Sequence, residues 1–556
     1  MIKLRTIRII ISTIIFILFV YAFIAAGTAS AQFVHALVLS QVSPHVVELA
    51  TKGILGGSVI LLLLFTLTFL FGRIYCSFLC PLGFLQDIVI DIRNRISKMK
   101  FIYLNPVSKL HYAVTAAVAL AFAHVSMSLL SMLDPYANFG RIMTGLAKPV
   151  VVFVNNSAAY GLSAMGIQAL RQIKMHYMSF GLTVFTAVFL ILIVVFAAWK
   201  GRIYCNSICP VGGILSLISG VAIFKLEFKN NKCKNCGPCE KICKANCIDY
   251  KNRHVDFSRC VCCYNCVDNC KFDAIGYKAD LIWNPHHHPR SHHNLHHHPQ
   301  LELEKKAHQP EAHQNKNDAP KVLKTPADSG GAVQAAGSET PSDESRRDAI
   351  KMLGAAVAGA ALALMIPAKL EAKINSDLIP QKREIIPVPP GAAGVKQFTE
   401  KCIACHLCVS ACPSRVISPS FLENGIEGFL QPRMDYDKAF CKYKCNTCTL
   451  VCPTGAIKSM TIEDKIRVKI GTAKFVKKKC VIYANHQKCK MCVEYCPTKS
   501  CKLERDKSSG MKLPKVDVGT CIGCGACEYV CPARPKKAIY VEGLKIHIKA
   551  EKARVK

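Results

Sequence analysis

Gly201-Arg-Ile-Tyr-Cys205-Asn-Ser-Ile-Cys209-Pro-Val-Gly212 is the stretch on which the reading of this 556-residue chain turns. It follows an apolar run and has a near copy upstream, Gly72-Arg-Ile-Tyr-Cys76-Ser-Phe-Leu-Cys80-Pro-Leu-Gly83. Two cysteine runs come next, Cys233/Cys236/Cys239/Cys243 and Cys260/Cys263/Cys266/Cys270. Similar runs recur at 402–452 and 480–531. A duplicated thiol motif at the ends of apolar segments is thus joined to repeated cysteine modules.

Composition narrows the classes. Hydrophobic residues make up 51% of the chain, yet its formal charge is +34 and it has 31 cysteines. Disulfide-dense domains are small and secreted. Here the cysteines fall in tight Cys-x-x-Cys-x-x-Cys-x-x-x-Cys runs, the thiolate pattern of iron–sulfur centres. A cluster held by four thiolates is anionic, so bound clusters offset part of the positive charge. Nucleic acid is therefore a poor partner for this basicity; anionic lipid or an acidic redox protein suits it better.

Four apolar segments, residues 7–31, 53–72, 110–133 and 177–199, reach the roughly 20 residues needed to cross hydrocarbon. The connection after the second holds Arg73, Arg93, Arg95, Lys98, Lys100 and Lys109, whereas the one after the first holds Lys52 alone. The positive-inside rule then puts the N-terminus and both thiol motifs on the cytoplasmic side. The shorter apolar stretches 81–92 and 211–224 are expected to lie at the interface or pack in the bundle. His111 and His124 sit thirteen residues apart on the third segment, but matching partners for haem b are not evident. Asp134, at the end of that segment in Leu133-Asp134-Pro135-Tyr136, reads as a functional carboxylate or as a helix stop.

Residues 281–344 are rich in His, Pro, Lys and Gln and read as a flexible linker. Ser345-Arg346-Arg347-Asp348 then precedes a short alanine-rich run, and residues 345–368 resemble a twin-arginine export signal or anchor. Residues 385–394, rich in Pro and Gly, read as a tether. The expected architecture is an α-helical membrane bundle of four spans plus a fifth signal or anchor helix, carrying α+β ferredoxin domains. Its parts are residues 1–224 (membrane module), 225–280 (cytoplasmic two-cluster domain), 281–344, 345–368 and 395–547 (exported four-cluster domain).

In two-cluster ferredoxins the fourth cysteine of each run ligates the other cluster. That rule pairs Cys233, Cys236 and Cys239 with Cys270, and Cys260, Cys263 and Cys266 with Cys243. Downstream it pairs Cys402, Cys405 and Cys408 with Cys452, and Cys441, Cys445 and Cys448 with Cys412. It also pairs Cys521, Cys524 and Cys527 with Cys496, and Cys480, Cys489 and Cys492 with Cys531. Six 4Fe–4S centres result, with zinc the less fitting alternative. Two spacings are irregular: Cys441 to Cys445 is one residue longer than standard, and Cys480 to Cys489 holds an inserted loop. Lys244 and Lys271 replace the proline usual after the fourth cysteine. Cys247, Cys262 and Cys501 remain unassigned. Cys76, Cys80, Cys205 and Cys209 put two thiols on each of two helical turns, for a further metal centre or a dithiol–disulfide switch.

These residues carry a resemblance. Residues 1–278 resemble the NapH-type membrane subunit of periplasmic nitrate-reductase systems, a module shared with a nitrous-oxide-reduction regulator and a cytochrome-oxidase accessory protein. Residues 345–547 resemble the NapG/MauM-type exported ferredoxins. The pairing implies a quinol-dehydrogenase-like electron-transfer protein of the bacterial inner membrane. Quinol would be the donor and a periplasmic reductase or cytochrome c the acceptor. The rival expectations are a redox assembly or regulatory factor for a respiratory metalloenzyme, and a cytoplasmic ferredoxin-linked complex.

Overall fold

The computed structural model describes residues 4–27, 29–52, 59–96, 100–104, 108–123, 127–173, 180–229, 231–279, 381–421 and 423–551. The chain divides into one unit of Met1–Ala279 with Lys351–Lys556 and another of Asp280–Ile350. The second unit lies outside the described residues, as do the expected His-rich linker, the twin-arginine segment and His124.

The N-terminal module is helical: α1 (Leu4–Ile24), α2 (Ala31–Val38), α3 (Val42–Lys52), α4 (Val59–Phe71), α5 (Tyr75–Phe78), α6 (Pro81–Ile96) and α7 (Ser108–Ala123). It continues with α8 (Ser128–Leu133), α9 (Pro135–Ile142), a π-helical turn (Met143–Ala147), α10 (Lys148–Ala164), α11 (Phe180–Lys200), α12 (Ile203–Ser207) and α13 (Pro210–Gly220). Among the described residues two helices are long and apolar enough to cross a membrane, Leu4–Ile24 and Gly181–Lys200. This corrects the expectation of four spans. The described part of α4 has 13 residues, roughly 20 Å at 1.5 Å per residue; residues 53–58 before it lie outside the described residues, and Gly72 ends it, left-handed at φ 80°. Of the third expected segment the structure describes α7 and α8, with residues 124–126 outside the described residues. Residues 31–52, read as a connection, form a helix pair bent by 82°. Residues 135–164, which carried no expectation, are helical throughout. The short stretches after each thiol motif are α6 and α13, and both bury one face in the bundle.

Each thiol motif is built the same way. A left-handed glycine, Gly72 or Gly201 (φ 71°), ends the preceding helix. A short helix then carries the first cysteine, and the second cysteine caps the next helix. Gly83 N donates to Cys80 Sγ at 3.4 Å and Gly212 N donates to Cys209 Sγ at 3.3 Å. Pro81 and Pro210 occupy the first helical positions, where the missing N–H costs nothing.

The first cysteine domain is a small α+β unit. Strand β1 (Phe224–Phe228) pairs antiparallel with β4 (Ile275–Ala279), and β2 (Ile248–Asp249) with β3 (His254–Val255). Helices α14 (Pro238–Lys241) and α15 (Asn265–Asp268) follow its cysteine loops. It packs on the ends of α4 and α11: Ile223 N donates to Phe69 O at 2.9 Å and Arg202 N to Lys244 O at 2.8 Å.

The C-terminal domain has three antiparallel pairs: β5 (Ile417–Pro419) with β6 (Pro432–Met434), β7 (Val468–Phe475) with β10 (Ile539–Lys549), and β8 (Cys501–Arg505) with β9 (Lys512–Val516). Residues 385–394 are built into this domain and do not form a loose tether: Met434 N donates to Pro387 O and Lys458 N to Gly391 O, both at 2.9 Å. The domain sits on the other end of the helical module. Lys148 Nζ donates to Ser410 O at 2.8 Å, Ser128 Oγ to Ile426 O at 2.8 Å, and Ser410 Oγ to Phe23 O. Phe185 and Phe429 meet edge to face at 5.7 Å. Near one end α1 holds Arg8 against Asp87 at 2.6 Å, in the network that binds the first cysteine domain; near the other its Phe23 carbonyl meets the second. Its 21 residues measure roughly 31 Å, about the thickness of a bilayer core.

Candidate metal centres

Two of the expected four-cysteine sets each line a single cavity, and in the others neighbouring thiols lie close enough to interact electrostatically. Cys243, Cys260, Cys263 and Cys266 line one cavity with Leu226, Val261 and Tyr264. Cys480, Cys489, Cys492 and Cys531 line another with Phe475 and Ile539. In the other sets burial pushes Cys239, Cys408, Cys448 and Cys527 up, and neighbouring thiols push further: Cys270 and Cys233 on Cys239, which reaches about 11. Cys402, Cys405 and Cys452 act so on Cys408, and Cys441, Cys412 and Cys445 on Cys448. Cys524, Cys521 and Cys496 act so on Cys527. Four buried thiolates in one place repel each other, and a cationic iron core relieves that repulsion. The donor sets therefore fit 4Fe–4S clusters. Among the described residues no group of three or more His, Cys, Asp or Glu is placed to hold a single metal ion. A cubane attaches each cysteine to a different iron, so its ligands stand wider than those of one zinc.

Backbone shape supports the same fit. In the four regular loops the residues on both sides of the second cysteine are left-handed: Asn235 and Gly237, Cys262 and Tyr264, Ala404 and His406, Gly523 and Gly525. This turns the loop's N–H groups inward, a nest suited to an anionic guest. Cys262 N, for example, donates toward Cys260 Sγ at 3.4 Å. The two irregular loops lack the pattern; Asn446 (φ −126°) and Lys490 (φ −138°), which follow their cysteines, are not left-handed.

Spatial order follows from contacts between sets. The Cys243/Cys260 set faces the helical module: Ser77 Oγ donates to Val261 O, and Arg73 Nη1 to Ser258 O at 3.0 Å. The Cys233 set is the open end, with Cys236 exposed. In the C-terminal domain Cys405 lies against α9, where the Tyr136 hydroxyl approaches it and a Cβ on Gly140 would overlap its carbonyl oxygen. The Cys402 and Cys441 sets interlock through Cys412 and Cys452. Cys441 N donates to Cys524 O at 2.9 Å, which joins the Cys441 and Cys521 sets. The Cys521 and Cys480 sets interlock through Cys496 and Cys531. The four sets form a line from α9 to the Cys480 loop.

The unassigned cysteines sit beside these sets. Cys247 Sγ lies 3.6 Å from Cys243 Sγ, Cys262 Sγ donates to Phe71 O at 3.3 Å, and Cys501 neighbours Cys492. Lys244, in the place of the usual proline, joins a buried ion cluster instead. Its ammonium lies 3.4 Å from Asp87 and 3.0 Å from Asp91, while Arg8 and Arg202 also bind Asp87, at 2.6 and 2.9 Å.

Between the two cysteine domains lie Cys76, Cys80, Cys205 and Cys209, all buried and close enough to interact electrostatically. The motifs clasp each other with approximate two-fold symmetry. Arg73 Nη2 donates to Cys205 O at 3.1 Å, and Arg202 Nη1 donates to Cys76 O at 2.6 Å. A Cβ on Gly83 or Gly212 would collide with the same two carbonyls. Spacing alone missed this exchange; the matched Gly-Arg and Pro-x-Gly letters were its only sequence signal. Tyr75 and Tyr204 donate from the motifs to Gln41 Oε1 (2.8 Å) and Leu133 O (2.6 Å). Asp134 is both cap and buried carboxylate: Ala137 N donates to it at 2.7 Å and Ser43 Oγ also donates to it. Burial pushes Asp134 up to about 6 against those bonds. His111 Nε2 donates to Cys209 O at 3.0 Å, and His124 lies outside the described residues.

Comparison with known proteins bears on both modules. Residues 54–100 and 182–229, which hold the two thiol motifs, match a family described as a 4Fe-4S binding domain. Residues 401–456 and 487–534 match a 4Fe-4S dicluster domain. An uncharacterised protein of Methanocaldococcus jannaschii is 24% identical over 258 residues, covering 44% of this chain and 83% of the relative. The methylamine utilization ferredoxin-type protein MauM of Paracoccus denitrificans is 32% identical over 152 residues, 26% of this chain and 65% of MauM. The ferredoxin-type protein NapF of Escherichia coli strain K12 is 27% identical over 154 residues, 28% of this chain and 84% of NapF. The chain thus spans just under two thirds of that MauM protein. No solved structure matches. The chain is an iron–sulfur electron-transfer protein with ferredoxin-type 4Fe–4S domains homologous to the MauM and NapF ferredoxin-type proteins.

Proposed function

We propose that this protein carries electrons from membrane quinol, through the clasped thiol motifs, to a soluble reductase or cytochrome outside the membrane. The observation that carries the proposal is the placement of two cluster-binding domains near opposite ends of the membrane-length helix α1. The ligand sets are the six interlocked groups named above, and six 4Fe–4S clusters supply reversible one-electron storage when bound. The chain's own residues do the rest. Left-handed loops wrap each set, the Asp87 network fixes the first domain, and α9 seats the second. The four thiols between them suit a relay, and the family that their segments match is described as 4Fe–4S-binding. In this reading the N-terminus and residues 225–280 are cytoplasmic, in a bacterial inner membrane, and residues 395–547 are exported through the signal at 345–368. MauM is named for methylamine utilization; the nitrate-reductase setting is the other system that the resemblance suggests.

Anaerobic EPR on membranes given a menaquinol or ubiquinol analogue tests the proposal. Quinol should reduce the C-terminal clusters in the unaltered chain and fail to do so in Cys76→Ser or Cys205→Ser, while dithionite still reduces them. Unchanged quinol rates in the double variant would refute the relay. A C-terminal reporter retained in the cytoplasm would refute the orientation.

A further inference from the structure

We propose that electrons leave the C-terminal domain at the Cys480/Cys489/Cys492/Cys531 site, and that the loop over this site docks an acidic electron-acceptor protein. The inference rests on the reading that this domain delivers electrons to a soluble partner, and adds where it does so and to what kind of surface.

Three observations converge on that end. First, the four cysteine sets form a line, and the Cys402 set at its beginning is covered by α9 through Tyr136 and Gly140. A partner cannot reach that end while the helical module holds it. The Cys441 and Cys521 sets lie between, joined by the Cys441–Cys524 backbone bond. The Cys480 set is the free terminus of the line.

Second, this set has the inserted cysteine loop. Residues 484–488 are exposed, and Cys489 is only half-buried. Met491 and Tyr495 are 38% and 47% exposed beside the ligands Cys492 and Cys496. An apolar contact at the centre with charge at its rim is the usual anatomy of a docking surface.

Third, the rim is basic. Residues 477–493 include Lys477, Lys478, Lys479, Lys488 and Lys490, and no Asp or Glu. Lys478, Lys488 and Lys490 are exposed, and Arg534 and Lys536 add exposed charge beside Cys531. Two carboxylates temper it: Asp506 binds Lys477 at 2.5 Å and Glu494 binds Lys490 at 2.7 Å. The remaining positive field attracts a negatively charged partner and speeds its encounter. Each productive encounter moves one electron, oxidising the site and reducing the acceptor, with no proton or bond transferred.

The test uses the purified full chain, reduced by dithionite and freed of excess reductant. Stopped-flow mixing with an acidic cytochrome c and with a basic cytochrome c reads haem reduction. The variant is Lys478→Glu/Lys488→Glu/Lys490→Glu. Its control, Lys232→Glu/Lys234→Glu/Lys241→Glu, makes the same charge change at the open end of the first domain. The low-salt rate to the acidic cytochrome should fall about tenfold or more in the first variant. Its dependence on ionic strength should flatten, and the basic cytochrome should react faster. The Lys→Gln version should shift the rates in the same direction by less. EPR spectra of the reduced clusters should match the unaltered protein, showing that the domain is intact. Unchanged rates with intact spectra, or a loss shared by or confined to the control, would overturn the proposal. So would loss of the EPR signals in both the Glu and Gln versions, since it would make these lysines structural. The donor reading is separate: if quinol fails to reduce the unaltered protein but the charge effect holds, that reading falls and the exit site stands.

Discussion

Asp87→Asn should unfasten the first cysteine domain from the helical module. The carboxylate is fully buried and touches three cations: Arg8 at 2.6 Å, Arg202 at 2.9 Å and Lys244 at 3.4 Å. Burial alone would raise its pKa, but Arg202 and Lys244 outweigh burial and hold it well below the usual carboxylate range. Asp87 and Asp91 against these three cations leave a net charge of +1; the asparagine raises it to +2, and Asp91 is 57% exposed and screened. Stripping one partner from a buried ion network typically costs about 3–5 kcal/mol, because the remaining charges stay desolvated. The three cations come from α1, from the start of α12 and from the residue after Cys243, so the loss should fall on the joint between module and domain. Thermal or denaturant unfolding of the detergent-solubilised protein should show it. Pairing Asp87→Asn with Lys244→Met should recover part of the loss, as a double-mutant cycle requires of coupled groups. An Asp87→Asn protein within about 1 kcal/mol of the original would refute the reasoning, since that is the scale of an exposed pair.

Gly140→Val should separate the C-terminal domain from α9, because any Cβ there meets the Cys405 carbonyl and the Phe23 ring; quinol-dependent reduction of that domain should drop while dithionite reduction persists. Cys452→Ser and Cys402→Ser should remove the same EPR signal, whereas Cys501→Ser should remove none, and a different signal lost in the first two would break the interlocked assignment. His547 is pulled down to about 4 by burial, against an ordinary 6.5. The unfolded chain therefore takes up a proton first as pH falls, and stability is lost between pH 6.5 and 4. His547→Leu should flatten that acid slope by roughly 2 kcal/mol, measured as unfolding midpoint against pH.

The cysteine groupings could be proposed from sequence because iron–sulfur spacing is a local pattern and the exchange of the fourth cysteine is a fixed rule. Even with the odd loop at Cys480–Cys489, the grouping with Cys492 and Cys531 agrees with the one cavity that those four residues line. The span count was not legible. Residues 53–72 are apolar enough to cross a membrane; of them the structure describes α4 from Val59, which ends at Phe71 where the left-handed Gly72 turns the chain and aims Arg73 at the other motif. Apolar composition measures what a segment tolerates around it and says nothing of where a turn must fall. The bent pair at 31–52 and the helices at 135–164 escaped because tertiary partners accommodate polar residues within them. Ser43 binds Asp134, and Arg141 Nη2 donates to Ser131 O and to Asn138 Oδ1 at 2.6 Å. Left-handed Ala404, His406 and Tyr264 were equally hidden, since propensity places glycine or asparagine there. The demands of the cluster loop override that preference.

The fusion itself has a physical consequence. The contact between the C-terminal domain and the helices is polar at its edge, with Lys148 on Ser410 and Ser128 on Ile426, and has a small apolar centre of Leu182, Ala404 and Leu430. As two separate chains, such partners would have to offset the entropy of association at each encounter. Joined through one chain, the second domain meets α9 at an effective concentration set by the connection and not by free diffusion. A modest interface then stays occupied without being tight. The Cys402 set can be held against Tyr136 for electron transfer while the Cys480 end stays open to solvent. That division, one end docked by tethering and the other free for encounter, is what a relay between a fixed donor and a diffusing acceptor requires.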